Sequence, residues 1–290
     1  MDSLCEFDGN SDMYGMGVRI GCYLQWSTSI FAENFYGPAV EPCRDANTTF
    51  QVAMLAGLVL STGSPKENAI ALEGYIALLF CFTSVWIASL QVLSVPKTDH
   101  TNSLNFSDTK RAMRGVGDML LNTAICSYGI YLLYVGFDQL RRTTCPETIF
   151  FFGPVELFGW FRIFLKVVLI ISLVGSATSL SLRILSFFQQ LSQFISQWGQ
   201  SYMPQSPCPP SRVRMVKLSF SKLLGSIVGL GIFIVAIELT IAWNNIRHIY
   251  ECASFSQLFP LVAGATNLSR VVYQLMKSTL EGTTRIEWSY

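Results

Sequence analysis

Residues 223–243, LLGSIVGLGIFIVAIELTIAW, form an apolar run of the length that crosses a bilayer as a helix. In hydrocarbon every backbone N–H and C=O must find its partner inside the protein, which leaves such a run little choice but a helix. At least four further stretches of this kind occur. We therefore expect an all-α fold, a polytopic transmembrane helix bundle forming a single domain over residues 1–290. Composition agrees, since 51% of the 290 residues are hydrophobic and 13% are charged, against roughly 25% charged in an ordinary soluble domain.

About seven spans are expected, near 15–35, 50–60, 69–95, 115–137, 157–180, 223–243 and 257–276. The 50–60 piece is short, so a thinned span and a re-entrant segment both stay open, and without it there are six spans. Polar loops are expected at 38–49 and 97–114. The fifth helix is expected to continue as an amphipathic stretch to Trp198, followed by a cytoplasmic Pro/Ser-rich linker at about 199–214. Lysine and arginine favour the cytoplasmic side. In the seven-span scheme Arg44, the 97–114 cluster, the 183–217 group, Lys277 and Arg285 lie on one side, and Lys66, Arg141, Arg142 and Arg247 on the other. That places the N-terminus out and the C-terminus in, in a multi-pass protein of the endoplasmic reticulum or another endomembrane. The first residues lack a basic segment before an apolar core, so no cleavable signal is expected and the first span serves for insertion. The Asn-x-Ser/Thr sequences at Asn47, Asn105 and Asn267 fall in the cytosol or inside a helix and read as chance matches.

A formal net charge of +1 gives no basic excess for nucleic acid. Eight cysteines without a C-x-x-C pair, and only two histidines, argue against a metal site, and no cofactor is expected. A disulfide between Cys145 and Cys252, in loops on one side, stays open. Walker A, nucleophile-elbow, H-E-x-x-H and Rossmann patterns do not occur, which disfavours the enzymes built on them.

The expected partners are the lipid bilayer and a hydrophobic small molecule. Glu238 is the most informative candidate, a carboxyl inside the 223–243 run. It reads either as a protonated acid facing a guest or as an acid paired within the bundle, for instance with Lys166. Glu73 lies on the same nominal side and reads as a helix-start acid or as the partner of Glu238 across one cavity. Asp118 shares a helix face with Asn122, and with Arg114 one turn earlier it suits an interfacial ion pair. Arg19 is placed to snorkel to the interface. Arg162 and Lys166, four residues apart, either serve structure or bind an anionic or phenolic group. Trp26, Tyr75, Trp86, Tyr128, Tyr131, Trp243 and Asn244 are candidate wall residues, aromatic faces being able to stabilise a carbocation. Gly15, Gly17 and Gly21, and the pair Gly225 and Gly229, are small-residue patterns that let helices approach closely.

The segments MYGMGVRIGCYLQW, IELTIAWNNI and SFSQLFPLVAGATNLSRVVY resemble a group of fungal polytopic membrane proteins found beside secondary-metabolite genes. In size, span number and acid content the chain also looks like the small membrane-embedded terpene cyclases of meroterpenoid pathways. That resemblance implies acid-initiated cyclisation of a prenylated, epoxidised small molecule, an isomerisation, with Glu238, Glu73 or Asp118 as catalytic acid. A transporter, a channel and a seven-helix receptor are the alternatives.

Overall fold

The computed structural model describes residues 7–63, 70–93, 106–140, 146–198, 214–251, 254–281 and 284–289. In chain order, strand β1 (Phe7–Asp8) and the single turn α1 (Ser11–Tyr14) lead into α2 (Met16–Phe35). A 3₁₀ turn (Gly37–Ala39) joins it to α3 (Val40–Gly63), followed by α4 (Ala71–Leu93) and α5 (Phe106–Tyr131). A π-helical turn (Leu132–Gly136) and the short α6 (Phe137–Gln139) end that rod. A hairpin of β2 (Thr148–Phe150) and β3 (Pro154–Glu156) precedes α7 (Trp160–Trp198). Strand β4 (Arg214–Ser219), α8 (Phe220–Trp243), β5 (Ile246–Arg247), α9 (Phe255–Leu280) and β6 (Thr284–Ser289) complete the chain.

The fold is all-α, with seven long helices among the described residues. Side-chain pairs fix their directions. The starts of α2 and α4 meet through Tyr14 and Glu73, and the end of α8 meets the start of α2 through Glu238 and Arg19. The opposite end joins the end of α2 to the start of α8 through Glu33 and Lys222, 2.6 Å apart. It also joins the first turns of α3 to the first half of α5 through Arg44 and Asp118. The seven helices therefore alternate up and down. β4 and β6 pair in parallel at the Lys222 end, while β1 and β5 pair in parallel at the Glu238 end.

α2 is the hub, with twelve of its 20 residues buried against neighbouring helices. Its glycines set the distance to α9. A Cβ on Gly17 would lie 2.5 Å from the Gln257 carbonyl oxygen, one on Gly21 2.5 Å from that of Pro260, and one on Gly264 2.6 Å from that of Gly21. The small-residue pattern read from the sequence is thus a backbone-to-backbone contact. Of the second pattern, Gly229 leaves room for the Trp86 ring, whereas Gly225 faces open space.

Among the described residues three stretches are long and apolar enough to cross a membrane: Ala112–Gln139, Trp160–Gln189 and Phe220–Trp243. α7, in the second of these, is the most peripheral, with 6% of its apolar window buried. At ~1.5 Å per residue it runs for roughly 58 Å, about twice the hydrocarbon thickness of ~30 Å. Its continuation to Trp198 is helical, as expected. α2, α3 and α9 are less apolar because they carry charged and amide side chains, several of which meet partners on neighbouring helices. Gln25 of α2 illustrates this: it donates to the Cys43 carbonyl of α3 and accepts from Asn267 of α9, at 3.2 and 3.0 Å.

Three local expectations change. The expected polar 38–49 loop is a 3₁₀ turn followed, from Val40, by the first turns of a 24-residue helix. Pro42 sits in the first turn, where no N–H is needed, Glu41 complements the helix dipole, and Arg44, Thr48 and Gln51 form a polar row facing α5. α5 begins at Phe106 instead of Gly115, so Lys110, Arg111 and Arg114 are helical. The aromatic run before α7 forms a hairpin, which α8 pins from below. Thr240 Oγ1 accepts from the Phe150 N–H at 3.2 Å, and Asn244 Oδ1 from the Thr148 N–H at 3.0 Å.

Candidate functional site

A partly open cavity of about 350 Å³ lies between α2, α3 and α9. Its wall is mainly apolar, made by Val18, Phe50, Ala53, Met54, Phe259 and Pro260. Gly57 keeps the α3 side low, since a Cβ there would meet nothing within 4 Å. Pro260 contributes twice: its ring is in the wall, and its missing N–H frees the carbonyl of Ser256, another lining residue, from the helical ladder.

Polar groups converge at the N-terminal edge. Asp12 lines the cavity and accepts from the hydroxyls of Ser254 and Ser256, at 3.2 and 2.5 Å. Asn10, also in the lining, caps α1 through its side chain and donates its own N–H to Glu73 Oε1 at 2.9 Å. Tyr14 donates to the same oxygen at 2.8 Å. Burial, and then the Glu73 carboxyl beside it, push the Tyr14 phenol well above its usual range, so it stays a hydrogen-bond donor. Glu73 thus stands one layer behind the cavity lining, held through Asn10.

Glu238 occupies a different environment. Arg19 lies against its Oε2, and Tyr23 donates to its Oε1 at 2.8 Å. Both oxygens are engaged, so of the two readings open from the sequence the geometry favours pairing within the bundle. The partner is Arg19, not Lys166. Arg19 is 3% exposed, with Tyr250 stacked over it at 5.2 Å, so it is a buried cation and not a snorkelling one. Glu73 and Glu238 share no partner, and neither is among the residues lining the cavity. The cavity between α2, α3 and α9 therefore does not bring the two acids together.

Asp118 lies toward the opposite end. Arg44 and Thr48 of α3 engage it, the latter at 3.2 Å, and Asn122 accepts from Gln51 at 3.4 Å. The shared face of Asp118 and Asn122 is as read, but the Arg114 pairing is not. Arg114 reaches instead to Glu41 at 3.3 Å and Asp45 at 3.1 Å, because α3 presents two acids at that level.

Arg162 is likewise committed to the protein. The π-helical turn frees the Leu133 carbonyl, which Arg162 takes at 2.9 and 2.7 Å while forking onto Asp138 at 2.9 and 2.8 Å. Lys166 sits 4.1 Å from the centre of the Tyr134 ring. The expected wall aromatics are spread through the bundle. Trp26 is buried against Tyr23 and Phe80, Tyr75 meets the edge of Phe161, and Trp86 packs on Phe233. Tyr128 hydrogen-bonds Thr62 and packs on the exposed Tyr131, while Trp243 leans on Phe150. None of them lines the cavity; its aromatic faces are Phe50 and Phe259.

Asn10, Asp12, Thr49, Ser61 and Ser256 are the polar lining residues missed in the sequence. Their one signal was local: Asn10 and Asp12 form a capped turn directly before a glycine-rich span. Among the described residues no three His, Cys, Asp or Glu side chains are placed to hold a metal ion. Cys145, Cys252 and residues 199–213 of the linker lie outside the described residues. The chain matches no known protein-family model, no curated protein and no solved structure.

Proposed function

We propose that this chain is a multi-pass integral membrane protein, with its N-terminus out and its C-terminus in, that takes a hydrophobic small molecule into the cavity between α2, α3 and α9. We further propose that it acts there as a terpene cyclase, closing a prenylated and epoxidised molecule by acid catalysis. The observation that carries this reading is an apolar hollow of about 350 Å³ with one carboxyl, Asp12, in its lining and a second, Glu73, held behind that edge through Asn10. That volume lies within the range of small-molecule sites, and a few convergent polar groups on an apolar wall are how such sites orient a guest.

In this reading the epoxide lies toward Asn10 and Asp12 and the prenyl tail toward Phe50, Met54 and Phe259. A carboxyl O–H protonates the epoxide oxygen, the C–O bond opens, an alkene π pair closes the ring, and loss of a proton from the last cation restores the acid. Substrate and product are isomers. Glu73 and Asp12 are the carboxyls nearest the guest, whereas Glu238 and Asp118 are occupied by arginines. The rings of Phe50 and Phe259 supply the negative faces that stabilise a passing cation.

Membranes carrying the chain, incubated with epoxy-prenyl phenols, test this by mass spectrometry and NMR. A new compound of unchanged mass, lost in Glu73→Gln or Asp12→Asn, is the expected result. Full turnover in both variants removes the assigned acids. One observation favours a second reading, carriage of the molecule unaltered: Asp12 already accepts two seryl hydroxyls. Saturable binding or liposome flux without any isomer decides for that reading.

A further inference from the structure

The helices around the cavity are tied together at one level and stand apart above it. Gln25 of α2, roughly 10 Å further along that helix than the lining residue Val18 at ~1.5 Å per residue, donates to the Cys43 carbonyl of α3 and accepts from Asn267 of α9. Outward of this tie, α3 and α9 share no hydrogen bond or ion pair among the described residues. The outer end is roofed by α1, which Asp12 fastens to Ser254 and Ser256 at the start of α9 and Asn10 fastens to Glu73 of α4. Val18, on the α2 side, is buried, whereas the lining residues Thr49 and Ala53 of α3 are exposed and Phe259 of α9 is 63% exposed. The cavity therefore opens sideways, between α3 and α9 and away from α2.

Its shape and surroundings limit what can enter. Lining residues run along α3 from Thr49 to Ser61, ~18 Å at ~1.5 Å per residue, so the volume of about 350 Å³ is drawn out along the helix as a slot. The surface beside the mouth is apolar, with exposed Val52 and Leu60 on α3 and exposed Leu258 and Val262 on α9. In a membrane these side chains face lipid, and the slot opens onto hydrocarbon. Polar groups gather at its outer end. Asp12 takes both seryl hydroxyls on Oδ1, which leaves Oδ2 without a hydrogen bond among the described residues. The hydroxyls of Thr49 and Ser61 are turned back onto the Asp45 and Leu58 carbonyls of their own helix, at 2.9 and 3.0 Å. No lysine, arginine or histidine is among the described residues of the lining.

We propose that the slot is a lateral portal: a single hydrocarbon chain dissolved in the bilayer enters it between α3 and α9, and the uncharged polar end of the same molecule lies at Asp12. The proposal rests on the cavity being the guest site and not on the chemistry assigned to it. An anionic end would meet a carboxyl and no cation, and an unpaired charge taken out of water is costly. A hydroxyl finds Oδ2 of Asp12 to donate to, while its own oxygen can accept from the Asn10 amide across the same edge. A guest that arrives this way passes from lipid to protein without crossing water, so its supply is set by its partition into the membrane.

The full chain is reconstituted in vesicles of phosphatidylcholine that include a phosphatidylcholine with a diazirine on one acyl chain, and the adducts formed on irradiation are mapped by mass spectrometry. This probe stays in the bilayer, so its chain reaches the lining only from the side. Adducts are expected on Val18 and Phe50 inside the slot as well as on the lipid-facing Leu60 and Val262. Gly57→Phe is expected to remove the inner adducts and to leave those on Val262 unchanged. Where that variant fails to fold, competition in the parent chain decides. Hexadecanol is expected to suppress the inner adducts at a concentration at least about tenfold below that of hexadecanesulfonate, an anion of equal chain length. Adducts confined to Leu60 and Val262, or equal competition by the two amphiphiles, overturn the proposal. Inner adducts in a chain that forms no isomer from epoxy-prenyl phenols uphold the portal and remove the cyclase, and turnover without inner adducts does the reverse.

Discussion

Arg19 and Glu238 form an ion pair of unequal partners: the guanidinium is 3% exposed and the carboxyl 40% exposed. The pair links the first turns of α2 to the last turns of α8, and Tyr23 and Tyr250 hold the two ends of it.

This inequality predicts an asymmetric response to substitution. Glu238→Leu strands a buried cation whose Nε already lacks a hydrogen bond, so it is expected to destabilise by about 3–5 kcal/mol. Arg19→Met strands a carboxyl that is already partly outside the bundle, and about 1–2 kcal/mol is expected, nearer an exposed pair than a buried one. Glu238→Gln, which still accepts from Tyr23, falls between them. Thermal unfolding of the purified variants ranks the three, and a larger loss for Arg19→Met than for Glu238→Leu contradicts the assignment of the buried partner.

A second expectation concerns the α2–α9 seam. Gly21→Ala and Gly264→Ala each push a methyl group into a backbone carbonyl of the other helix, where no side chain can move aside. The cost of overpacking, about 1–3 kcal/mol or more, is expected for each. Gly225→Ala is the control, because its Cβ meets nothing within 4 Å and alanine is the better helix former by ~1 kcal/mol. Unfolding midpoints that fall for the first two and hold or rise for the third fit this packing. Equal effects at all three sites do not.

The sequence revealed the helices far better than their partners. Apolar runs and the Gly17, Gly21 spacing are local patterns, and α2, α4, α8 and α9 fall close to where those patterns place them. The start of α3 was hidden because a polar row at Glu41, Arg44, Asp45 and Thr48 looks like a loop until the facing row on α5 is known. Arg19 looked like an interfacial cation for the same reason, since its acid is 219 residues away. The cavity was illegible altogether. It is created by the absence of side-chain volume at Gly57 and by three segments far apart in the chain, and neither leaves a motif.

The alternation of helices predicts which positions share a side of the membrane. Phe152, at the hairpin tip and 80% exposed, belongs to the Trp160 end, and Lys277, near the end of α9, to the Lys222 end. In a background with Cys5, Cys145, Cys208 and Cys252 replaced by serine, the remaining described cysteines are buried. Sealed microsomes with the cytosolic face outward are expected to label Lys277→Cys with an impermeant maleimide at once, and Phe152→Cys only after permeabilisation. Labelling of both without permeabilisation places the two ends on one side and contradicts an odd number of crossings.

Filling the hollow separates its role as a site from any role in stability. Gly57 lines the cavity, and its missing Cβ points into open space. Gly57→Phe therefore builds a ring where the guest is proposed to lie, from a Cβ that meets nothing within 4 Å. Most enlargements in a packed interior cost stability through forced rotamers and backbone shifts. Here the new side chain grows from an unobstructed Cβ into the hollow, and replacing a mid-helix glycine removes its entropic penalty of roughly 0.5–1 kcal/mol. The variant is expected to unfold at the same temperature as the parent or a few degrees above, while binding of an apolar guest, read by equilibrium titration in detergent, falls at least about tenfold. Ala53→Phe, from the next turn of the same wall, is expected to repeat the effect. A stable Gly57→Phe chain that binds and converts its guest as well as the parent does would move the site out of this cavity, and with it the roles given to Asp12 and Glu73.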